Sequence, residues 1–163
     1  MKHRYVVDIL GGEGLSALEA GLEEYETLMT NRIGEVCRQL AEIGKETASE
    51  YYSGAYYDGE WDVDVSAEPT SQNAWKVVAG GNAVLFVEFG AGLIGYGHPD
   101  PMGFGPGTYP PTNPDNPHWD DPGGWYYAHG MKTHGNVPNP GMYNAHKEVE
   151  HSVERVVKDV FGF

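Results

Sequence analysis

The sequence predicts an α+β fold in one domain, residues 1–163, with a central antiparallel sheet that contains a hairpin. Two observations predict the helices that pack on it: apolar residues recur every three or four positions over residues 15–52 and again over residues 142–160. The third observation concerns strands. Residues 61–68 alternate apolar with polar side chains, and residues 83–92 form an almost continuous apolar run.

The N-terminal region predicts a short strand followed by a long helix. Residues 5–10 are largely apolar and end at Gly11 and Gly12, which is typical of an edge strand. A single helix over residues 15–52 would be about 57 Å long at 1.5 Å per residue. We therefore expect a break near Thr30 and Asn31, with Asn31 as the cap of a second segment.

The hairpin is predicted between residues 75–79 and the central strand, residues 83–92. Gly80, Gly81 and Asn82 lie between them and can supply the positive φ angles of a tight turn. The alternating residues 61–68 then form a neighbouring strand with one solvated face.

Glu88 interrupts the apolar central run. A buried carboxylate must meet a cation or backbone N–H groups, or else keep its proton. Gly90 and Gly92 follow it directly and are the expected N–H donors. The sequence therefore predicts a structural role for Glu88, which braces the turn at Gly90 or meets a cation.

Two further groups are interpreted as packing residues. Tyr51, Tyr52, Tyr56 and Tyr57 surround the end of the long helix, where we expect them to pack that end against the sheet rather than to bind a ligand. Cys37 lies within the helical pattern as a predicted buried small hydrophobe.

A long loop is predicted over residues 92–139, which hold 10 of the 23 glycines and 9 of the 11 prolines. Its aromatic content favours a loop ordered by a partner or by neighbouring copies of the chain. Its acidic and histidine side chains could bind a metal, and its tryptophans could stack sugars or contact protein; these alternatives stay open. The spacings match no established metal site, so we predict no metal and no cofactor. The polar candidates are His98, Asp100, Asp115, His118, Asp120, Asp121, His129 and His134.

The last element is an amphipathic helix that begins near Asn139, the expected N-cap, with Pro140 at the first helical position. Its apolar positions recur at helical spacing, and its valines suit packing on a sheet. These positions are Met142, Ala145, Val149, Val153, Val156 and Val160.

Composition excludes several functions. The formal net charge is −14, which disfavours binding to the outside of a nucleic-acid duplex or to an anionic membrane. The chain contains no apolar run long enough for a signal peptide or a membrane span, and its single cysteine allows no intrachain disulfide. Motifs of hydrolases, phosphate loops, dinucleotide binding and zinc proteases are missing, so the sequence predicts no catalytic residues and no enzyme.

The order of these pieces resembles a known family. A first strand, a Glu-rich helix, a segment ending in Val87-Glu88-Phe89-Gly90-Ala91-Gly92, and a proline-containing turn before the helix of residues 140–145 are similar to the tail-completion or minor tail proteins of long-tailed bacteriophages. The family motif has threonine where Ala91 stands, and this chain has the longer loop. The residues expected to matter for structure or interaction are Glu88, Phe89, Gly90, Gly92, Trp119, Trp125, Tyr126, Tyr127 and Pro140.

The resemblance implies a virion protein of the head–tail junction, or neck, made in the host cytoplasm. Such tail terminator-like subunits form a homo-oligomeric ring, usually a hexamer, that ends the tail tube. The implied partners are the head-side connector or stopper protein and the major tail protein, with DNA passing through the channel without specific binding and with no membrane involved. The alternatives are another minor capsid or tail-tube component, and a small metal- or glycan-binding module that uses residues 92–139.

Overall fold

The computed structural model describes residues 12–54, 63–91, 98–99, 125–126, 132–133 and 135–163. The predicted α+β class is confirmed. The elements in chain order are helix α1 (Gly12–Ser53), strands β1 (Asp64–Ser71) and β2 (Ala74–Gly80), helix α2 (Val84–Phe89), strands β3 (Trp125–Tyr126) and β4 (Lys132–Thr133), and helix α3 (Gly141–Phe161). The predicted first strand, residues 5–10, and most of the 92–139 loop lie outside the described residues.

Helix α1 is one continuous helix of 42 residues, about 63 Å long, so the predicted break at Thr30 and Asn31 is wrong. Threonine and asparagine each weaken a helix by up to about 0.7 kcal/mol relative to alanine, and packing just beyond them outweighs that cost. Arg32 donates to the Val160 carbonyl oxygen at 2.7 Å. Across the described part of the chain, no helix has the length and apolar character needed to cross a membrane.

Helix α3 runs antiparallel along the C-terminal half of α1. Its first residue, Gly141, lies against the ring of Tyr52, and its end lies beside Arg32 of α1. The predicted cap is wrong by one residue: Pro140 occupies the N-cap position and Gly141 begins the helix. Helix α3 packs on α1 rather than on a sheet: Val149 approaches Gly44, whereas Val153, also expected in the packed face, is 42% exposed.

The hairpin joins β1 to β2, not β2 to the apolar run. Its antiparallel register pairs Asp64 with Gly80 and Ser71 with Ala74, and the turn is at residues 72–73. The turn lies against α1, where the Cys37 Sγ, half-buried rather than buried, is 3.1 Å from the Asn73 carbonyl oxygen.

The predicted central strand is instead the short helix α2. Ala83, the N-cap residue, and Val87 are buried four residues apart, whereas Leu85 between them is 53% exposed. That is the burial pattern of one helical face. A continuous apolar run shows neither the two-residue period of a strand nor the 3.6-residue period of a helix. The sequence alone therefore could not distinguish a strand from a helix here. Gly81, with φ of 128°, turns the chain from β2 into α2.

The core lies where α1, α2 and α3 meet. Its buried residues are Ala48 and Tyr52 from α1, Val87 from α2, Ala145 from α3, and Ala83 just before α2. Tyr52 therefore packs as expected, Tyr51 is exposed, and Tyr56 and Tyr57 lie outside the described residues. Helix α1 takes the central place that we expected for the sheet, because both the hairpin and α3 pack on it.

Gly141→Ala tests the closest of these contacts. A Cβ at Gly141 would lie 2.8 Å from the Tyr52 ring, whereas a Cβ at Gly54 meets nothing within 4 Å. We expect Gly141→Ala to lower the free energy of unfolding in urea by about 1–3 kcal/mol. The matched control Gly54→Ala should change it little. Equal effects of the two substitutions would contradict the tight packing of α3 on Tyr52.

Candidate functional site

The Glu88 carboxylate is buried at the junction of three helices, with 8% of its side chain exposed. Its Oε2 accepts hydrogen bonds from the Tyr52 hydroxyl at 2.6 Å and from the Met142 N–H at 3.0 Å. Its Oε1 accepts from the Tyr143 N–H at 3.1 Å and lies 3.3 Å from the His98 Nε2. We call Glu88, Tyr52, His98 and these two N–H groups the Glu88 cluster.

The two N–H donors belong to the first turn of α3. The first N–H groups of a helix have no partner within the helix, and the N-terminus carries partial positive charge. Pro140, at the cap position, makes no side-chain capping hydrogen bond. The Glu88 carboxylate thus caps α3 from another helix through Met142 and Tyr143, donors that the sequence did not predict. Gly92, one of the two expected donors, lies outside the described residues.

Tyr52 connects the end of α1 to the same carboxylate. Its side chain is 2% exposed. Burial, together with the hydrogen bond to Glu88, raises the pKa of Tyr52 well above its ordinary value. The phenol therefore stays protonated and donates to Glu88 through the neutral pH range.

His98 brings the start of the long loop into the cluster. Its ring lies between Phe89, at 4.6 Å between centroids, and Tyr143, at 5.9 Å. With a proton on Nε2 it donates to Glu88. His98 was one of eight candidate metal ligands, and the other seven lie outside the described residues. Within the described part, no group of three or more His, Cys, Asp or Glu residues could hold a metal ion.

Two asparagines before α3 fasten it to α2; sequence reasoning missed Asn136 and predicted Asn139 only as the N-cap of α3. Asn136 exchanges backbone hydrogen bonds with Ala91 at 2.9 and 3.1 Å, and its Nδ2 donates to the Phe86 carbonyl at 2.8 Å. Asn139, expected as the N-cap, donates its N–H to the Val87 carbonyl at 2.7 Å. The signal available in the sequence is the pair of asparagines flanking Val137 and Pro138 before an amphipathic helix.

Only some of the remaining predicted residues lie in the described part of the structure. Phe89 is half-buried against His98, and Gly90 is buried with φ of 75°, a left-handed value that favours glycine. Trp125 and Tyr126 form β3, which pairs with β4. The other three predicted residues, Gly92, Trp119 and Tyr127, lie outside the described residues.

The geometry of the cluster suits bracing. An ionised carboxylate has about four acceptor positions. Each Glu88 oxygen has two polar neighbours, and all four acceptor positions are filled when the His98 Nε2 carries the ring proton. An open groove of about 380 Å³ borders the cluster and is lined in part by Val84, Leu85 and Met142. The cluster thus fixes α1, α2, α3 and the loop start relative to one another.

Comparison of the chain with protein-family models, with curated proteins and with solved structures gave no match.

Glu88→Ala should lower the free energy of unfolding more than any other single substitution in the Glu88 cluster. It leaves the Tyr52 hydroxyl and the N–H groups of Met142 and Tyr143 buried without their acceptor. We expect the free energy of unfolding in urea to fall by about 3–5 kcal/mol. The control Glu24→Ala removes an exposed glutamate of α1 and should cost less than about 0.5 kcal/mol. A Glu88→Ala protein as stable as the control would contradict the bracing role.

Alkaline titration tests the Tyr52 hydrogen bond. Below the ordinary tyrosine pKa, about 10, the phenol is protonated in both the folded and the unfolded chain. Above it, the unfolded chain releases this proton while the folded protein retains it, because the folded pKa is raised. Stability should therefore fall as pH rises above about 10, by up to about 1.4 kcal/mol per pH unit from this group. Tyr52→Phe should be less stable at pH 7 and should show a shallower alkaline fall.

Proposed function

We propose that this chain is a structural subunit of the head–tail junction of a long-tailed bacteriophage, where copies form a ring that completes the tail tube and joins it to the head connector. One observation carries the proposal. The two segments that bear the family resemblance, the Val87–Gly90 motif and the turn into α3, contact each other directly through Glu88 and Met142, 54 residues apart in sequence. The two short segments that carry the resemblance thus belong to one contact in the fold.

The bracing geometry supports a structural subunit. Ala145, the alanine near the start of α3 in the resemblance, is 3% exposed and packs in the same core as Val87. The motif residues hold the C-terminal helix in place, and the Glu88 carboxylate has its acceptor positions filled. A role that depends on shape and on contacts with other chains accounts for such a site.

The hairpin supports assembly with neighbouring copies. Among the described residues, β1 and β2 form a sheet of two strands, with β3 and β4 in a separate pair. A two-stranded sheet is marginally stable by itself, and its outer edges are able to pair with strands of another chain. In a ring, each subunit could extend the hairpin of the next. The net charge of −14 suits a channel through which DNA passes without binding.

Native mass spectrometry of the full chain over a range of concentrations tests the ring. We expect a monomer that converts cooperatively to a single closed species, with six copies as the ring number that the resemblance implies. Deletion of the gene in cells that carry the surrounding virion genes should then give filled heads and tails that remain unjoined. Normal joined particles after the deletion would overturn the junction role. A monomer that carries a stoichiometric metal or glycan would favour the binding-module alternative.

A further inference from the structure

Among the described residues, helix α1 extends well beyond α3 and the β1–β2 hairpin, the elements that pack on it. Helix α3 ends beside Arg32, and the β1–β2 turn lies against Gly34. We call residues 12–31 of α1 the arm. At 1.5 Å per residue it extends for about 30 Å.

The arm carries an apolar stripe with coiled-coil spacing. The spacings alternate between three and four residues, which gives the period of 3.5 at which one helix packs along another. Leu15 and Leu22 are each 55% exposed. The stripe consists of Leu15, Leu18, Leu22, Tyr25 and Met29.

The charges on the arm are of one sign. Residues 12–31 contain glutamates but no lysine or arginine. Glu19 and Glu26 occupy the positions that flank a coiled-coil stripe, whereas Glu23 and Glu24 lie farther around the helix. Glu19 and Glu23 are also four residues apart, a spacing at which like charges weaken a helix. A helical arm with this composition gains stability from a packed partner that brings positive charge.

A second copy of the chain is poorly suited to be that partner. Two antiparallel arms would bring Glu19 and Glu26 of one copy beside the same glutamates of the other, and two parallel arms would place them beside Gly14 and Gly21, so neither arrangement supplies a cation. Most lysines and arginines elsewhere in the described part of the chain already lie within 4.0 Å of a carboxylate. These pairs are Arg38–Glu35, Lys45–Glu42, Lys76–Glu68, Lys147–Glu150, Arg155–Asp159 and Lys158–Glu154.

We propose that the arm is a docking site for an amphipathic helix of a different protein, one whose apolar stripe is flanked by lysine or arginine. Leu15, Leu18 and Leu22 would pack into that stripe. Glu19 and Glu26 would face its cations at the rim, where opposite charges select the partner. The inference rests on the arm alone and does not require the head–tail role.

The test uses the purified full-length protein and two synthetic helical peptides. One peptide has leucine at the a and d positions of three heptads and lysine at e and g; the companion has glutamate in place of each lysine. Binding is followed by fluorescence anisotropy of the labelled peptide. We expect the lysine peptide to bind at least about tenfold more tightly than the glutamate peptide. The difference should shrink near 1 M salt, where the Debye length falls to about 3 Å.

Matched variants assign the binding to the stripe. Leu22→Gln removes a stripe residue and should weaken binding of the lysine peptide about tenfold. Ala20→Gln makes a change on the opposite face of the arm and should leave binding unchanged. The double variant Glu19→Gln/Glu26→Gln should weaken binding more than Glu23→Gln/Glu24→Gln, which removes the same charge away from the stripe.

Three outcomes would overturn the inference. The first is equal binding of the two peptides, and the second is equal loss in the two double variants, which would indicate attraction by net charge alone. The third is a wild-type dimer that Leu22→Gln, but not Ala20→Gln, converts to monomer, which would make a second copy the occupant. Ring formation is measured separately by mass, so failure of the docking site and failure of the head–tail role give different results.

Discussion

The arrangement of the three helices depends on the hydrogen bonds that satisfy the buried Glu88 carboxylate. Burying an ionised carboxylate without partners would cost several kcal/mol, and here donors from separate elements remove that cost. The hydroxyl comes from Tyr52 at the end of α1, and the N–H groups come from Met142 and Tyr143 at the start of α3. Because no one element satisfies the carboxylate alone, the positions of all three helices depend on one another.

Helix α1 has two halves with the same apolar pattern and different surroundings. The C-terminal half is covered by the hairpin and by α3, and it contributes Ala48 and Tyr52 to the core. The arm continues the pattern with exposed leucines, because α3 has 21 residues against the 42 of α1 and covers only part of its length. Apolar periodicity in this chain thus encodes both an internal interface and a surface for another chain.

The long periodic patterns were sufficient to predict α3, the helical character of α1 and the α+β class, although not the continuity of α1 through Thr30 and Asn31. The sequence was insufficient for residues 83–89, because a continuous apolar run does not reveal which side chains face the core. The exposure of Leu85, which identifies a helix, is visible only in the structure. The hairpin was misplaced because residues 72–73 and residues 80–82 are both turn-forming. Burial of Glu88 required partners, and that requirement was predictable. The identity of the partners was not, because the N–H groups lie 54 and 55 residues away and any helix start can supply them.

The cap also limits what the resemblance explains. The first turn of α3 has no side-chain cap of its own, and the Glu88 carboxylate of the Val87–Gly90 motif accepts its N–H groups. The two motifs therefore act together to hold α3 in place. That contact determines how the chain folds, not what it binds. Contacts with other proteins must come from surfaces that the cap leaves open, and the clearest in the described structure is the acidic arm. The fold and the binding surface therefore reside in different halves of the same helix, and one can change without the other.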